Sequence, residues 1–94
     1  QRANYAAIAL SRIQGVSVRF QKGIFKEFVL NFDETGKSVK EINAGLLERN
    51  VFGGKDLSSE FPQLGQSALY CVTEVHSKED IELLVTHLNE VLRS

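Results

Sequence analysis

The chain has few of the residues from which metal centres, disulfide frameworks and membrane anchors are built. Its 94 residues include one cysteine, one proline and two histidines, with neither methionine nor tryptophan. A single cysteine excludes an internal disulfide and agrees with a reducing compartment. No apolar run approaches the roughly 20 residues that a membrane-spanning helix needs, and the first residues lack the pattern of a signal peptide.

The charge of the chain argues against two classes of partner. The formal net charge is −1, and the 11 Lys and Arg residues are scattered along the sequence. This gives no electrostatic footprint for nucleic acid or an anionic membrane. Hydrophobic residues at 43% and charged residues at 24% are ordinary for one soluble globular domain, here spanning 1–94. Because the chain lacks methionine and opens on Gln1 in a helical pattern, we expect it to be part of a longer polypeptide.

Apolar spacing predicts a helix and then a β-hairpin at the start of the chain. Residues 2–14 are rich in alanine and lack Gly and Pro, and Gly15 suits the left-handed cap that ends a helix. Residues 16–20 alternate between apolar and polar, as in a half-buried strand. A second strand is predicted over 25–32. The short link at 22–23 contains a glycine, which favours an antiparallel hairpin.

A helix, a strand and a last helix follow. Ser38 and Glu41 have the spacing of a capping box, which predicts the start of the second helix. Residues 53–66 are loop-like, and residues 66–73 form a strongly apolar strand. Ser77 caps the last helix, whose apolar residues recur at helical spacing.

The resulting order, α-β-β-α-β-α, indicates an α+β fold. We expect a two-layer sandwich in which helices cover one face of a small antiparallel sheet. A ferredoxin-like domain fits worse, since it would place a helix between the first two strands. The segment 68–72 is apolar on both faces, so we expect its second face to be buried against a missing domain or a second copy of the chain.

Two adjacent glycines before a lysine, Gly53-Gly54-Lys55, suggest a phosphate-binding loop, but the motif fails. It requires a glycine at position 49 and a Ser or Thr at position 56, where this chain has Arg49 and Asp56. The simpler interpretation is a glycine pair that turns tightly after a helix through positive φ. The alternative is a loop whose backbone approaches a ligand or a partner subunit closely.

Other reactive side chains give weak signals. Cys71 lies in the most apolar strand and is expected to be buried. His87 falls opposite the apolar stripe of the last helix and is expected to be solvated. The spacing of these residues does not suggest a metal site. Thr73-Glu74 ends a strand, where it is either a solvated terminus or part of an interface or active-site rim. No catalytic, cofactor-binding or metal-ligating residue is assigned.

Several motifs together resemble a known family. Five pieces occur in register, namely the first helix, Gly15-Val16, Phe25-x-Glu27-Phe28-Val29, Gly53-Gly54-x-Asp56-Leu57 and Val72-Thr73-Glu74. In this order the chain resembles the C-terminal small domain of fold-type I (aminotransferase-type) pyridoxal-phosphate enzymes. More narrowly, it is similar to subunit 1 of the two-subunit glycine dehydrogenases (decarboxylating), the P-proteins of the glycine cleavage system.

The resemblance implies that the parent enzyme is an oxidoreductase and that this chain, as a fragment of it, is inactive by itself. The parent would decarboxylate glycine on pyridoxal phosphate and pass the aminomethyl group to the lipoyl H-protein in the cytoplasm. The companion subunit 2 would supply the Schiff-base lysine, because no lysine here follows the Ser-x-x-His pattern of this fold type. The residues that the resemblance places at an active-site rim or subunit interface are Gly53, Gly54, Asp56, Thr73 and Glu74.

Two other functions remain open at the level of sequence. The chain could be the small domain of another fold-type I enzyme, such as an aminotransferase or a desulfurase. Those enzymes usually carry a carboxylate-binding arginine near the last strand, and none lies between Arg49 and Arg93. A free-standing binding or regulatory module is the other alternative, and tight ligand binding by the 94 residues alone would favour it.

Overall fold

The computed structural model describes residues 2–21, 27–71 and 77–93. Within those ranges it contains three α-helices and a four-stranded antiparallel sheet, which confirms the α+β class. The helices are α1 (Arg2–Ser11), α2 (Val39–Glu48) and α3 (Lys78–Arg93), and the strands are β1 (Ser17–Gln21), β2 (Glu27–Asn31), β3 (Lys55–Asp56) and β4 (Ser67–Cys71). None of these helices is both long and apolar enough to cross a membrane.

The strands are arranged in the order β1-β2-β4-β3, with every neighbouring pair antiparallel. Pairing of β1 with β2 confirms the expected hairpin, although its linking turn at 22–23 lies outside the described residues. The register shifts at a bulge between Val18 and Phe20. Strand β3 is an addition to the predicted order. Its two residues are too few to produce a periodic pattern in the sequence.

One face of the sheet forms the core with the helices. Phe28 of β2 is paired with Tyr70 of β4, and their rings stack with centroids 6.2 Å apart. Leu30 and Ala68 form the next pair on the same face. Helix α3 packs against both α1 and α2. The helical side chains that join this core include Ala6, Leu10, Ile42, Leu46 and Leu88.

The other face of β4 is open. Leu69 is half-buried and Cys71 is exposed, because alternation along the strand places both opposite the helix-covered residues. The expectation that Cys71 is buried is therefore wrong for this chain. Its neighbours are apolar in sequence, but the helices cover only the side on which Ala68 and Tyr70 lie. Burial of the open face by a further domain or copy stays a prediction.

Both predicted helix caps are present. The Glu41 amide donates to Ser38 Oγ at 3.1 Å, and the Ser38 amide donates to Glu41 Oε1 at 2.9 Å. The bond from the Ser38 amide is the main cause of the lowered pKa of the Glu41 carboxyl, and the Ser38 hydroxyl adds to it. Ser77 and Asp80 form the same reciprocal pair at the start of α3, at 3.0 and 2.9 Å. Side-chain caps thus fix where α2 and α3 begin.

Helix α1 ends at Ser11, earlier than its apolar spacing predicts. The chain then turns, and Gly15 adopts a φ of +87°. A Cβ at that position would approach Thr35 Cγ2 to 2.9 Å. Glycine is therefore required at this point both for its backbone conformation and for the close approach of the next segment.

Candidate functional site

Helix α2 ends in a motif that directs the chain into the Gly53–Gly54 loop. Asn50 has a φ of +61°. The Asn50 amide donates to the Leu47 carbonyl and the Val51 amide to the Leu46 carbonyl, each at 2.9 Å. This is the Schellman arrangement, with asparagine in the left-handed position that glycine usually occupies. The geometry sets the direction in which residues 51–54 leave the helix.

The two glycines are needed for close approach and not for positive φ. Neither is among the positive-φ residues, so the expectation of a tight turn through left-handed backbone is wrong. A Cβ on Gly54 would lie 2.6 Å from the Leu69 carbonyl oxygen and from the Tyr70 ring. A Cβ on Gly53 would lie against Asn43 Oδ1. The loop therefore packs directly on α2 and β4. Its backbone does make a close approach, as the second interpretation of the glycine pair expected, but to elements of the same chain.

Two buried polar atoms near this loop lack a hydrogen-bond partner among the described residues. They are the Tyr70 hydroxyl and Asn43 Oδ1. The Asn43 amide group is half satisfied, because Nδ2 donates to the Gly54 carbonyl at 3.0 Å. Burial raises the pKa of the Tyr70 hydroxyl above its ordinary value of 10.0, and the nearby Gly54 amide offsets part of this without reaching hydrogen-bond geometry. Unpartnered buried polar atoms are rare in folded proteins.

A cleft of about 700 Å³ opens beside the loop. Its walls come from the loop after α2, the end of β4 and the first turns of α3. Tyr70 lines it, and Phe52 and Leu83 lie at it with 86% and 55% of their surface exposed. The volume is within the range of ligand and peptide sites. The cleft thus has exposed apolar side chains at its mouth, and the buried Tyr70 lies beneath it.

The structure describes only one of the three remaining residues that were predicted to form a rim or interface. Asp56 Oδ1 accepts from the Ser58 amide at 2.8 Å and from Ser58 Oγ at 2.6 Å, so this carboxylate organises its own turn. Thr73 and Glu74 lie outside the described residues. The structure therefore brings Gly53 and Gly54 to the cleft, and it commits Asp56 to a local contact. Whether any of these residues forms an active-site rim stays a prediction.

A polar network lies at the opposite end of β2 and β4. Asn31 Nδ2 donates to the Leu64 carbonyl at 2.9 Å and to Ser67 Oγ at 3.1 Å, and Asn31 Oδ1 accepts from the Asp33 amide at 3.0 Å. The Asp33 carboxylate accepts from the Gln66 amide at 2.8 Å and from Asn31 Nδ2 at 3.2 Å, and these two bonds, the first foremost, lower the pKa of the Asp33 carboxyl. We call these residues the Asn31 network. Its buried members Asn31 and Ser67 are both partnered.

His87 differs from its predicted solvated state. Its side chain is 27% exposed, and Nδ1 lies 3.1 Å from Glu90 Oε1. The same carboxylate oxygen lies 3.3 Å from Arg49 Nε at the end of α2. This cluster joins α2 to α3 and is a structural contact. Within 2–21, 27–71 and 77–93, no group of three His, Cys, Asp or Glu residues is placed to hold a metal ion.

The side chains that define the cleft are not evident from the sequence. Phe52 could not be predicted, because one apolar residue in a loop does not form a periodic pattern. Asn43 could not be predicted either, because a single polar residue on a helix is ordinary. Tyr70 is predicted only as part of an apolar strand, without regard to its hydroxyl. A buried tyrosine usually needs a hydrogen-bond partner for its hydroxyl, and this need is the signal that could have identified Tyr70.

No family model matches the chain, but curated relatives do. The probable glycine dehydrogenase (decarboxylating) subunit 1 of Staphylothermus marinus is 41% identical over 91 residues, 97% of this chain and 19% of the relative. The corresponding protein of Desulfitobacterium hafniense is also 41% identical, over 97% of this chain and 20% of the relative. That of Brevibacillus brevis is 36% identical over the whole chain and 20% of the relative. The chain spans about a fifth of the length of these relatives.

A solved structure is similar in fold as well. It is the crystal structure of a glycine decarboxylase (P-protein) of the glycine cleavage system in inhibitor-bound form. The TM-score is 0.82 with 29% identity, over 96% of this chain and 20% of that one. Sequence and fold agree with the resemblance predicted from the motifs. Along nearly all of its length, the chain is therefore similar in sequence to about a fifth of the glycine dehydrogenase (decarboxylating) subunit 1 proteins and in fold to part of a glycine decarboxylase.

Proposed function

We propose that this chain is the C-terminal small domain, residues 1–94, of subunit 1 of a two-subunit glycine dehydrogenase. The observation that carries the proposal is identity of 41% over 97% of the chain to proteins of that name. The parent enzyme would decarboxylate glycine and pass the aminomethyl group to a lipoyl H-protein in the cytoplasm. The chain alone would be inactive.

Pyridoxal phosphate does not fit the described residues of this chain by itself. A Schiff-base lysine needs surroundings that favour its neutral amine. Lys55, the lysine at the cleft, is 65% exposed in its side chain and lies 3.4 Å from Glu60. We therefore assign the cofactor and its lysine to the companion subunit. The cofactor supplies the electron sink for glycine decarboxylation when bound there.

The contribution of this domain would be structural support near the active site. Its sheet and helices form one core, and the Gly53–Gly54 loop is held against that core by Asn43 and β4. Such a loop offers a backbone surface that a companion subunit can approach closely. Orientation and exclusion of water are the roles that a protein plays around this cofactor.

The proposal is tested on the natural polypeptide that contains this chain, produced with and without the companion subunit. Release of labelled CO₂ from carboxyl-labelled glycine is measured in the presence of lipoylated H-protein. We expect activity only when both polypeptides are present, and we expect them to co-purify. A matched control omits the H-protein. Full activity from either polypeptide alone, or a natural polypeptide of only these residues, would overturn the proposal.

A further inference from the structure

The short loop of residues 52–54, which we call the strap, packs on two side chains whose buried polar atoms lack partners. These atoms are the Tyr70 hydroxyl and Asn43 Oδ1, and neither has a hydrogen-bond partner among the described residues. A Cβ on Gly54 would lie 2.6 Å from the Tyr70 ring, and a Cβ on Gly53 would lie against Asn43 Oδ1. The backbone of the strap therefore shields both side chains from solvent.

This closed position of the strap has a cost. A buried donor or acceptor without a partner has lost its hydrogen bonds to water and gained none in exchange. Such atoms are rare in folded proteins, and stored strain is one of their causes. Tyr70 and Asn43 both bear this cost while the strap lies on them. Movement of the strap toward solvent would return both polar atoms to water.

The strap itself is held weakly. Asn43 Nδ2 donates one hydrogen bond to the Gly54 carbonyl, at 3.0 Å. Phe52 is 86% exposed, so its ring does not anchor the loop in the core. Gly53 and Gly54 have no side chains with which to do so. One hydrogen bond and the contact of the glycine backbone thus oppose the cost of the two unpartnered atoms.

The chain is fixed on both sides of the strap. Before it, the Val51 amide donates to the Leu46 carbonyl at 2.9 Å, and the Val51 side chain packs against the core. After it, Lys55 pairs with Leu69 of β4. The two glycines between these points have the backbone freedom that a hinge requires. The strap can therefore move while α2 and the central strands stay folded.

We infer that the strap is a two-state element, which closes over Tyr70 and Asn43 and opens through movement of Gly53 and Gly54. The structure has the closed state, in which the Tyr70 hydroxyl is shielded. In the open state the hydroxyl and Asn43 Oδ1 reach solvent at the cleft of about 700 Å³. Opening therefore adds a hydrogen-bond donor and an acceptor to the lining of the cleft. This behaviour is a property of the fold and does not depend on the proposed function.

Acetylation of tyrosine hydroxyls by N-acetylimidazole tests for the open state in the natural polypeptide that contains this chain. The rate of acetylation at Tyr70 is measured by mass spectrometry at increasing urea concentrations below the unfolding transition. Local opening exposes little surface, so we expect a rate at Tyr70 that is nearly independent of urea. A rate that rises with the slope of global unfolding would overturn the inference, because the hydroxyl would then react only in the unfolded chain. Absence of reaction below the transition would overturn it as well.

The variant Tyr70→Phe tests what favours opening. Removal of the hydroxyl removes a cost of the closed state, so amide hydrogen exchange over residues 53–57 should slow about tenfold. The matched control is Tyr5→Phe, which removes a hydroxyl bonded to Glu82 at 3.0 Å away from the strap and should leave this exchange unchanged. Unchanged or faster exchange in Tyr70→Phe would overturn the inference, because the hydroxyl would then not oppose closure.

The variant Phe52→Ala tests whether the exposed ring holds the strap closed. Because Phe52 is 86% exposed, its truncation should leave the acetylation rate of Tyr70 within about twofold of the unsubstituted polypeptide. Acetylation of Tyr5 in the same sample is the internal reference. An increase of about tenfold or more at Tyr70 alone would show that the ring anchors the loop, which would overturn a strap held by its backbone.

Discussion

The two ends of the central strand pair β2 and β4 are built in opposite ways. At one end the Asn31 network joins Asn31, Asp33 and Ser67 through hydrogen bonds that lie within the chain. At the other end the Tyr70 hydroxyl and Asn43 Oδ1 are buried without partners among the described residues, and Phe52 is almost fully exposed. The first end is complete in this chain. The second leaves two buried polar atoms without partners and an apolar side chain in solvent.

This difference predicts which substitutions affect the stability of the folded domain and which do not. Asn31 and Ser67 are 2% and 0% exposed and fully engaged, so substitutions there should affect folding. Substitutions that alter only the exposed or unpartnered groups of the cleft should affect folding little. The Gly53–Gly54 loop lies between these cases, because it belongs to the cleft but packs tightly on the core.

The largest expected effect is that of Gly54→Ala. The added Cβ would meet the Leu69 carbonyl oxygen and the Tyr70 ring at 2.6 Å, and neither can rotate away easily. We expect a loss of about 3 kcal/mol in the free energy of unfolding, measured by urea titration. The control is Gly36→Ala, where a Cβ meets nothing within 4 Å and only the φ of +78° is strained. That variant should lose about 1 kcal/mol. Equal losses would contradict close packing of the loop.

A paired comparison of one asparagine from each end comes next. Asn31→Ala removes bonds to Leu64 and Ser67 and leaves the Asp33 amide without its acceptor, which should cost about 2–3 kcal/mol. Asn43→Ala removes one bond to the Gly54 carbonyl together with an unpartnered oxygen, which should cost about 1 kcal/mol or less. Both are measured by urea titration. A larger loss for Asn43→Ala would reverse the distinction between the two ends.

The two ends should also respond to opposite extremes of pH. Hydrogen bonds from Gln66 and Asn31 lower the pKa of the Asp33 carboxyl below its ordinary 3.8. Its stabilising contribution is therefore present above that value and is lost as the pH falls through the lowered pKa. Burial raises the pKa of Tyr70 above 10.0, so its contribution is present below that value and is lost as the pH rises through the raised pKa.

The variants Asp33→Asn and Tyr70→Phe isolate these two contributions. Thermal unfolding across pH should show a weaker acid-induced loss in Asp33→Asn and a weaker alkaline loss in Tyr70→Phe. Tyr5→Phe is compared with it, because the Tyr5 hydroxyl also has a raised pKa, through its bond to Glu82, and its removal should weaken the alkaline loss by itself. If Tyr70→Phe loses as much thermal stability at alkaline pH as the unsubstituted chain, the Tyr70 hydroxyl is not buried in solution.

The smallest expected effect is a gain in stability. Asn50 has a φ of +61° at the end of α2, a conformation that glycine adopts without steric cost. Asn50→Gly should raise the free energy of unfolding by about 0.5 kcal/mol. A loss, measured by urea titration, would indicate that the asparagine side chain contributes a contact at the mouth of the cleft.

The sequence is sufficient to predict elements with a strong local signal. The capping box at Ser38 and the apolar stripe of α3 follow from rules that act over a few residues, and the structure confirms both. The same patterns lead to the correct α+β class. Strand β3 is absent from the predicted order because its pairing with β4 is a contact between distant segments, and a two-residue strand leaves no periodic pattern.

The cleft depends on information that no local pattern contains. The motifs draw attention to Gly53 and Gly54 but assign them the wrong role, because a sequence shows that glycine is present and not whether space or φ requires it. The exposure of Cys71 follows from which face of β4 the helices cover. The unpartnered state of Tyr70 is visible only from its surroundings in three dimensions.

The two outer strands of the sheet affect whether the isolated domain aggregates through its strand edges. Exposed strand edges recruit further strands, which leads to aggregation. Here one edge is only the two residues Lys55–Asp56, with an exposed lysine, and the other, β1, contains the bulge between Val18 and Phe20. Short length, charge and bulges are the devices by which proteins prevent such recruitment. We therefore expect that any association between copies of this domain proceeds through side-chain faces and leaves the sheet four strands wide.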